Sequence, residues 1–432
     1  MRVTASARFL LATVLLVAAA GALLAQSSFV DSLQSQGRLR IPLSQAREIQ
    51  DAVGQLLVVN VDGFGYSGPL ALEPAFAPMV QRLEIGAVIP HYGSTSFERI
   101  RSTNRALAAL TKAPLMVCSD IVRLSGAGRV ASFGDGYVGG FLGRYRGLPD
   151  DQLATLARLN AFVFTALGIN VSLGPTVDSS TDDPRTTDRA RIVVEALKEY
   201  GLQAVLKHFP FLPASANLHK ESPDTKLPLA QARQKFGVFS DLSGQADVVM
   251  TTHLYDSSVD AALVTFSPTW NGILRDETGY PGLLMTDGLL MLRNYADRRP
   301  LAGGVPAGDF AGSDSTAAWA ARAILAGHDL VIVEGSPYQT VRVWEGLLAA
   351  ACGGSSADAE LRRRILASAS RIARWKSERE AELRRTVDAS PADVAAVIRL
   401  LPADGADPGA FHFDSDGLER LRPVLEAAAV SR

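Results

Sequence analysis

The chain has 432 residues, 47% of them hydrophobic and 20% charged, an ordinary globular composition with enough apolar material for a large core. Its formal net charge of −2 excludes the basic excess expected of a nucleic-acid-binding protein, and no polybasic run points to an anionic membrane surface. Only Cys118 and Cys352 are present, with no zinc-type cluster, so the sequence implies neither a structural metal nor a cofactor.

The N-terminus reads as an export signal. Arg2 and Arg8 precede an apolar run from Phe9 to about Leu24, and small residues lead to Ala25. Residues 1–25 are therefore expected to be a signal peptide, with an uncleaved anchor as the alternative, because Leu23 suits a cleavage site poorly. Either way the body of the protein is expected outside the cytoplasm, periplasmic or secreted. No later stretch is long and apolar enough to span a bilayer. Residues 26–44 form a polar lead-in.

From about Gln45, helical spacing alternates with short apolar runs. The runs are Leu56–Val61, Gly86–Pro90, Pro114–Cys118, Ile169–Leu173, Ala204–Leu206, Val248–Thr251, Gly282–Met285 and Leu330–Val333. They lack the alternation of a half-wet sheet and fit strands buried on both faces. Ser96–Thr111, Asp151–Leu167, Arg189–Tyr200 and Thr316–Ala326 carry amphipathic helical spacing. The pattern predicts an α/β fold, a (β/α)8 TIM-like barrel over 45–350. A doubly wound open sheet is the competitor, but no glycine-rich dinucleotide turn follows the first run. Residues 351–432 read as a helical C-terminal extension whose charged run, Leu361–Thr386, is most simply a solvated face.

Polar residues gather just after the apolar runs: Asp62, His91, Asp120, Asp178, Lys207, His208, His253, Asp287 and Glu334. In a barrel those positions surround one mouth. The run Ala204-Val-Leu-Lys-His-Phe-Pro210 delivers a cation and an imidazole together, with His219 a short loop away.

Several blocks resemble the N-terminal barrel of glycoside hydrolase family 3, in its β-N-acetylhexosaminidase branch. Gly54-Gln-Leu-Leu-Val-Val59 is similar to the family's opening strand and Leu167-Gly-Ile-Asn170 through Val177-Asp178 to its "LGIN…PVxD" segment. Lys207-His-Phe-Pro210 matches the start of "KHFPGHG". Val249-Met-Thr-Thr-His253, Ser267-Pro268, Leu274-Arg275 and Gly282-Leu-Leu-Met-Thr-Asp287 follow "VMTAH…LSP…LLR…GVVxSD", and Ala326-Gly-His-Asp329 resembles "AGxD". The resemblance implies retaining hydrolysis of a carbohydrate substrate, a β-linked amino sugar, through a covalent glycosyl-enzyme. It assigns Asp287 as nucleophile and His219 as proton donor. In that branch an aspartate two residues earlier orients the histidine; here the position holds Asn217, which can orient a ring but supplies no charge. Lys207 and His208 match the pair that grips sugar hydroxyls, and Asp120, Arg185 and His253 complete the implied substrate-binding set.

The chain departs from the family in three places. Phe211-Leu-Pro213 replaces Gly-His-Gly, the block after Asp120 lacks the family's Gln-Glu-Gly-Gly core, and the arginine loop after Asp178 is reduced to Ser179–Arg185. Two further readings therefore stand beside the glycosidase. One is a catalytically impaired relative that binds a cell-wall sugar or a protein partner. The other, a family 3 β-glucosidase, fits less well, because such enzymes draw their acid/base from a second domain and the tail here is short and helical.

Overall fold

The computed structural model describes residues 29–60, 76–90, 95–119, 123–125, 129–131, 147–178, 184–213, 222–294, 315–401 and 414–430. The expected signal segment, Asp62, His91, Asp120, Asn217 and His219 lie outside these residues. Among the described residues no helix is long and apolar enough to cross a membrane.

Each of the apolar runs forms a strand: β1 (Leu57–Asn60), β2 (Ala87–Ile89), β3 (Met116–Ser119), β4 (Val171–Ser172), β5 (Gln203–Phe209), β6 (Val248–Thr251), β7 (Leu283–Met285) and β8 (Val331–Glu334). All neighbouring pairs are parallel, in the order β7-β6-β5-β4-β3-β2-β1-β8. A parallel bridge between Met285 and Leu330 brings β7 back to β8 and closes the ring. This is the (β/α)8 barrel that the pattern predicts, and not the open sheet.

Among the described residues the helices of eight residues or more are α1 (Leu43–Leu56), α2 (Phe97–Ala108), α3 (Asp150–Ala166), α4 (Thr186–Glu199), α5 (Ser315–Ala326), α6 (Pro337–Ala351), α7 (Ser356–Glu378), α8 (Pro391–Arg399) and α9 (Ser415–Ala428). Every strand residue is buried except Asn60, Ile89, His208 and Glu334. Those four lie at or beside the C-terminal ends of their strands, so the barrel opens at one mouth only.

The opposite end is closed by α7, and here one expectation is corrected. The charged run is not simply a solvated face. Glu360 does pair with Arg363 and Arg364 on the outside. The inward face carries Arg371, Lys376 and neighbouring Arg379 into the strand ends. Asp329, fully buried before β8, accepts from Arg275 at 2.6 Å, from the Leu284 N–H and Ser368 hydroxyl at 3.0 Å each, and from Arg371. Asp247, before β6, accepts from the Ala204 N–H and from Arg379. Lys376 donates to the Gly86 carbonyl and to Gln55, and burial pulls its pKa down to about 7. Buried charges need such partners, and a helix that supplies them becomes part of the barrel floor. Cys118 and Cys352 are free and buried, and burial pushes their thiols up to about 12 and about 11.

Candidate active site

The mouth is built on β4, β5 and β7. After β4 the chain passes through a cis Gly174–Pro175 bond and continues alongside β5 in the same direction. There Thr176 bridges to Lys207, and the Val177 N–H donates to the Lys207 carbonyl at 2.7 Å. That parallel path puts Asp178, 1% exposed, beside His208, whose Nδ1 lies 2.7 Å from Asp178 Oδ2.

On β5, the ladder to β6 slips between Lys207 and Phe209, so His208 is the extra residue of a bulge. The Lys207–His208 and Phe209–Pro210 bonds are both cis. Phe209 fixes the strand end from behind, with ring centroids 5.5 Å from Phe236, 5.4 Å from Phe239 and 6.1 Å from Trp270. The bulge releases the His208 ring from the ladder toward β7, and its Nε2 stands 3.8 Å from Asp287 Oδ2.

Asp287 follows Thr286, whose N–H donates to the Leu330 carbonyl and whose hydroxyl accepts from the Ile332 N–H. The residue is thereby pinned to β8. Its Oδ1 accepts the Gly288 N–H at 2.8 Å, while the side chain as a whole remains 19% exposed. One oxygen is held by the backbone and the other faces the imidazole.

The electrostatics follow from this line of three groups. Burial works to raise the Asp287 pKa, but His208, His253, the Gly288 N–H and Lys207 outweigh it, and the carboxyl sits below its ordinary value. Burial likewise works to lower the His208 pKa. The charge of Asp178, its hydrogen bond and Asp287 prevail over burial and Lys207, so the imidazole holds its proton above its ordinary range. With Nδ1–H donated to Asp178, the ring when protonated presents a positive Nε2–H toward Asp287. The arrangement can keep a partly open carboxylate ionised in a desolvated mouth, which is what attack on an electrophilic carbon requires.

Of the residues singled out from the sequence, the structure brings together Lys207, His208 and Asp287. Lys207 is 5% exposed, and its charge acts on both of the others. Arg185 is exposed just before α4, at the end of that helix nearest the mouth. Asp120, Asn217 and His219 lie outside the described residues. The stretched block after Asp120 forms an antiparallel hairpin, Arg123–Ser125 against Arg129–Ala131.

His253 is a correction. The expectation that it touches substrate fails because the ring is fully buried, with Nδ1 2.6 Å from the Thr265 hydroxyl and Nε2 2.8 Å from the Gly288 carbonyl. It supports the turn after Asp287 instead. Asp178 is the residue to which sequence reasoning gave no role; its signal was the last position of the "PVxD" block.

Comparison with known proteins agrees with this geometry. The model of the glycosyl hydrolase family 3 N-terminal domain matches residues 48–374, which runs through most of α7. A β-hexosaminidase of Xanthomonas euvesicatoria pv. vesicatoria is 27% identical over 244 residues, covering 51% of this chain and 70% of the relative. One from Methylococcus capsulatus is 29% identical over 207 residues, covering 44% of this chain and 57% of the relative. Among solved structures, a family 3 β-N-acetylglucosaminidase from Paenibacillus sp. superposes with a TM-score of 0.62 at 18% identity, over 88% of this chain and 68% of that one. A fungal multi-domain family 3 β-N-acetylglucosaminidase gives 0.60 at 16% identity; 81% of this chain is covered but only 42% of that one, so this chain spans less than half of it. The structures speak for the fold, and the family match covers well over half of the chain: it belongs to glycosyl hydrolase family 3.

Proposed function

We propose that this protein is a retaining β-N-acetylhexosaminidase that releases β-linked N-acetylglucosamine from cell-wall or chitin-type fragments outside the cytoplasm. The observation that carries the reading is Asp287: a partly open carboxylate on a rigid strand end, held below its ordinary pKa, with one oxygen fixed by a backbone N–H and the other facing His208. In the proposed reaction Asp287 Oδ2 bonds to the anomeric carbon as the bond to the leaving oxygen breaks. That oxygen takes its proton from His219, and water then hydrolyses the glycosyl-enzyme with the same histidine as base. The names of the curated relatives support the amino-sugar specificity, and the N-terminal apolar run supports export.

A second reading, a sugar-binding relative with little turnover, is favoured by the chemistry beyond β5. Asn217 replaces the aspartate of the Asp-x-His unit, and Phe211 stands where the family has glycine and is 4% exposed.

The test is hydrolysis of an aryl β-N-acetylglucosaminide from about pH 4 to 8, with the first-formed anomer read by NMR. Retention of configuration, with Asp287→Asn lowering kcat by about 10⁴-fold or more, supports the enzyme. Saturable muropeptide binding without turnover supports the second reading. Asn217→Asp is expected to raise activity near neutral pH by restoring the charge beside His219.

A further inference from the structure

Gly288, the residue after the proposed nucleophile, is held by two hydrogen bonds and hemmed in on a third side. Its N–H donates to Asp287 Oδ1 at 2.8 Å. Its carbonyl accepts from His253 Nε2 at 2.8 Å. On its third side lies Glu334, the last residue of β8: a β-carbon at Gly288 would stand 2.5 Å from Glu334 Oε1, far inside contact distance. The other carboxylate oxygen, Oε2, accepts the Leu290 N–H at 2.7 Å. Gly288 is not among the left-handed glycines, so a side chain here would conflict with the Glu334 carboxylate and not with the backbone conformation.

These contacts have a directional consequence. Asp287 Oδ1 is committed to the Gly288 N–H, so the direction of the free Oδ2 depends on where that N–H points. The backbone of Gly288 is in turn confined between His253, which holds its carbonyl from the end of β6, and the Glu334 carboxylate, packed against its open face from β8. We propose that Glu334 is a positioning residue for the Asp287 nucleophile, acting through the Gly288–Leu290 turn, with His253 as the opposing jaw. The proposal rests on the reading of Asp287 as nucleophile. Glu334 itself transfers no proton; its work is to keep the turn from rotating, and a displacement of about 1 Å at a reacting atom costs about 10²-fold in rate.

The variants that test this are Glu334→Gln, Glu334→Ala, Gly288→Ala and the Glu334→Ala/Gly288→Ala pair. Each is read by kcat and KM on the aryl glycoside and by urea-unfolding midpoint. Glu334→Ala is expected to lower kcat about 10²-fold with KM within about threefold. Glu334→Gln, whose amide oxygen still accepts the Leu290 N–H, is expected to stay within about tenfold of the parent. Gly288→Ala alone is expected to lower both kcat and the unfolding midpoint. In the Glu334→Ala background the same change is expected to cost little further stability, because the clashing carboxylate is gone.

Three results overturn the proposal. Glu334→Gln as inactive as Asp287→Asn means that the carboxylate takes part in the chemistry. Glu334→Ala within twofold of the parent means that the turn holds itself. Additive midpoint losses in the double variant mean that Gly288 and Glu334 do not meet. The unfolding cycle needs no turnover, so an inactive parent protein sinks the glycosidase reading, while the cycle still decides whether Glu334 holds the turn.

Discussion

Replacing Asp178 by asparagine is the sharpest probe of the site's electrostatics. In the parent protein, burial is the largest single influence on His208, and it disfavours the imidazolium. The charge of Asp178 and its 2.7 Å hydrogen bond are the two largest opposing influences. Asparagine keeps an acceptor but removes the charge, leaving burial and Lys207 against Asp287 alone, so the His208 pKa is expected to fall below its ordinary value. The sign for stability follows. A histidine with a raised folded pKa contributes stability fully present below its unfolded value near 6.5 and lost as pH rises through the folded pKa. The variant loses that contribution, and one partner of a buried pair is gone, a cost of about 3–5 kcal/mol. The gap in unfolding free energy is therefore expected to be widest near pH 5 and to narrow above the folded pKa of His208. Urea unfolding at both ends of that range measures it. The pH profile of kcat/KM reads the same group, whose alkaline limb is expected to move to lower pH. An unmoved limb, together with an equal stability gap at both pH values, would refute the claim that Asp178 holds the proton on His208.

Other expectations follow from the same arrangement. His208→Gln removes the largest of the influences that lower the Asp287 pKa, so the acid limb of kcat/KM is expected to move upward in pH; a profile that does not move assigns that limb to another group. Asp329→Ala strips the floor of the carboxylate that holds Arg275, Arg371 and Ser368, and is expected to cost about 3–5 kcal/mol or more by urea unfolding. A loss under about 1 kcal/mol would show that α7 is not fastened there. Lys376 has a folded pKa of about 7 against 10.5 when free, so the folded protein sheds a proton that the unfolded chain keeps. Stability is expected to rise with pH between those values, and Lys376→Met to flatten the rise, as read from the unfolding midpoint.

The barrel was legible because burial on both faces leaves a plain mark, short Val-, Leu- and Ile-rich runs with no alternation, and because charged side chains at strand ends mark a mouth. Asp287, Lys207 and His208 were legible for that reason. His253 was misread because a polar residue after a strand looks the same whether it faces the mouth or a carbonyl behind it. Sequence order cannot show that both of its ring nitrogens are taken. The inward half of α7 was missed for a related reason: Arg371, Lys376 and Arg379 look like solvent-facing charge until Asp329, Gln55 and Asp247 are seen beneath them, each distant in sequence. Glu334 was legible as a residue of the mouth but not in its role, since its partners, Gly288 and Leu290, belong to another strand's turn.

The two halves of the proposed chemistry differ in what holds them. The Asp287 side is tied to elements that also build the barrel. Asp178 rides on the extension of β4 along β5, Phe209 anchors β5 in an aromatic cluster, Thr286 bonds to β8, and His253 bonds to the turn after β7. A change at any of these is paid in stability before it is felt in catalysis. The proton-donor side rests on Asn217 and His219, beyond the last strand contact of β5. Asparagine in place of the family's aspartate is isosteric and removes only a charge. Asn217→Asp is accordingly expected to leave the unfolding free energy within about 0.5 kcal/mol of the parent while raising turnover near neutral pH. If the change instead alters stability by more than that and leaves turnover untouched, the residue belongs to the fold, and the separation of the two halves is wrong.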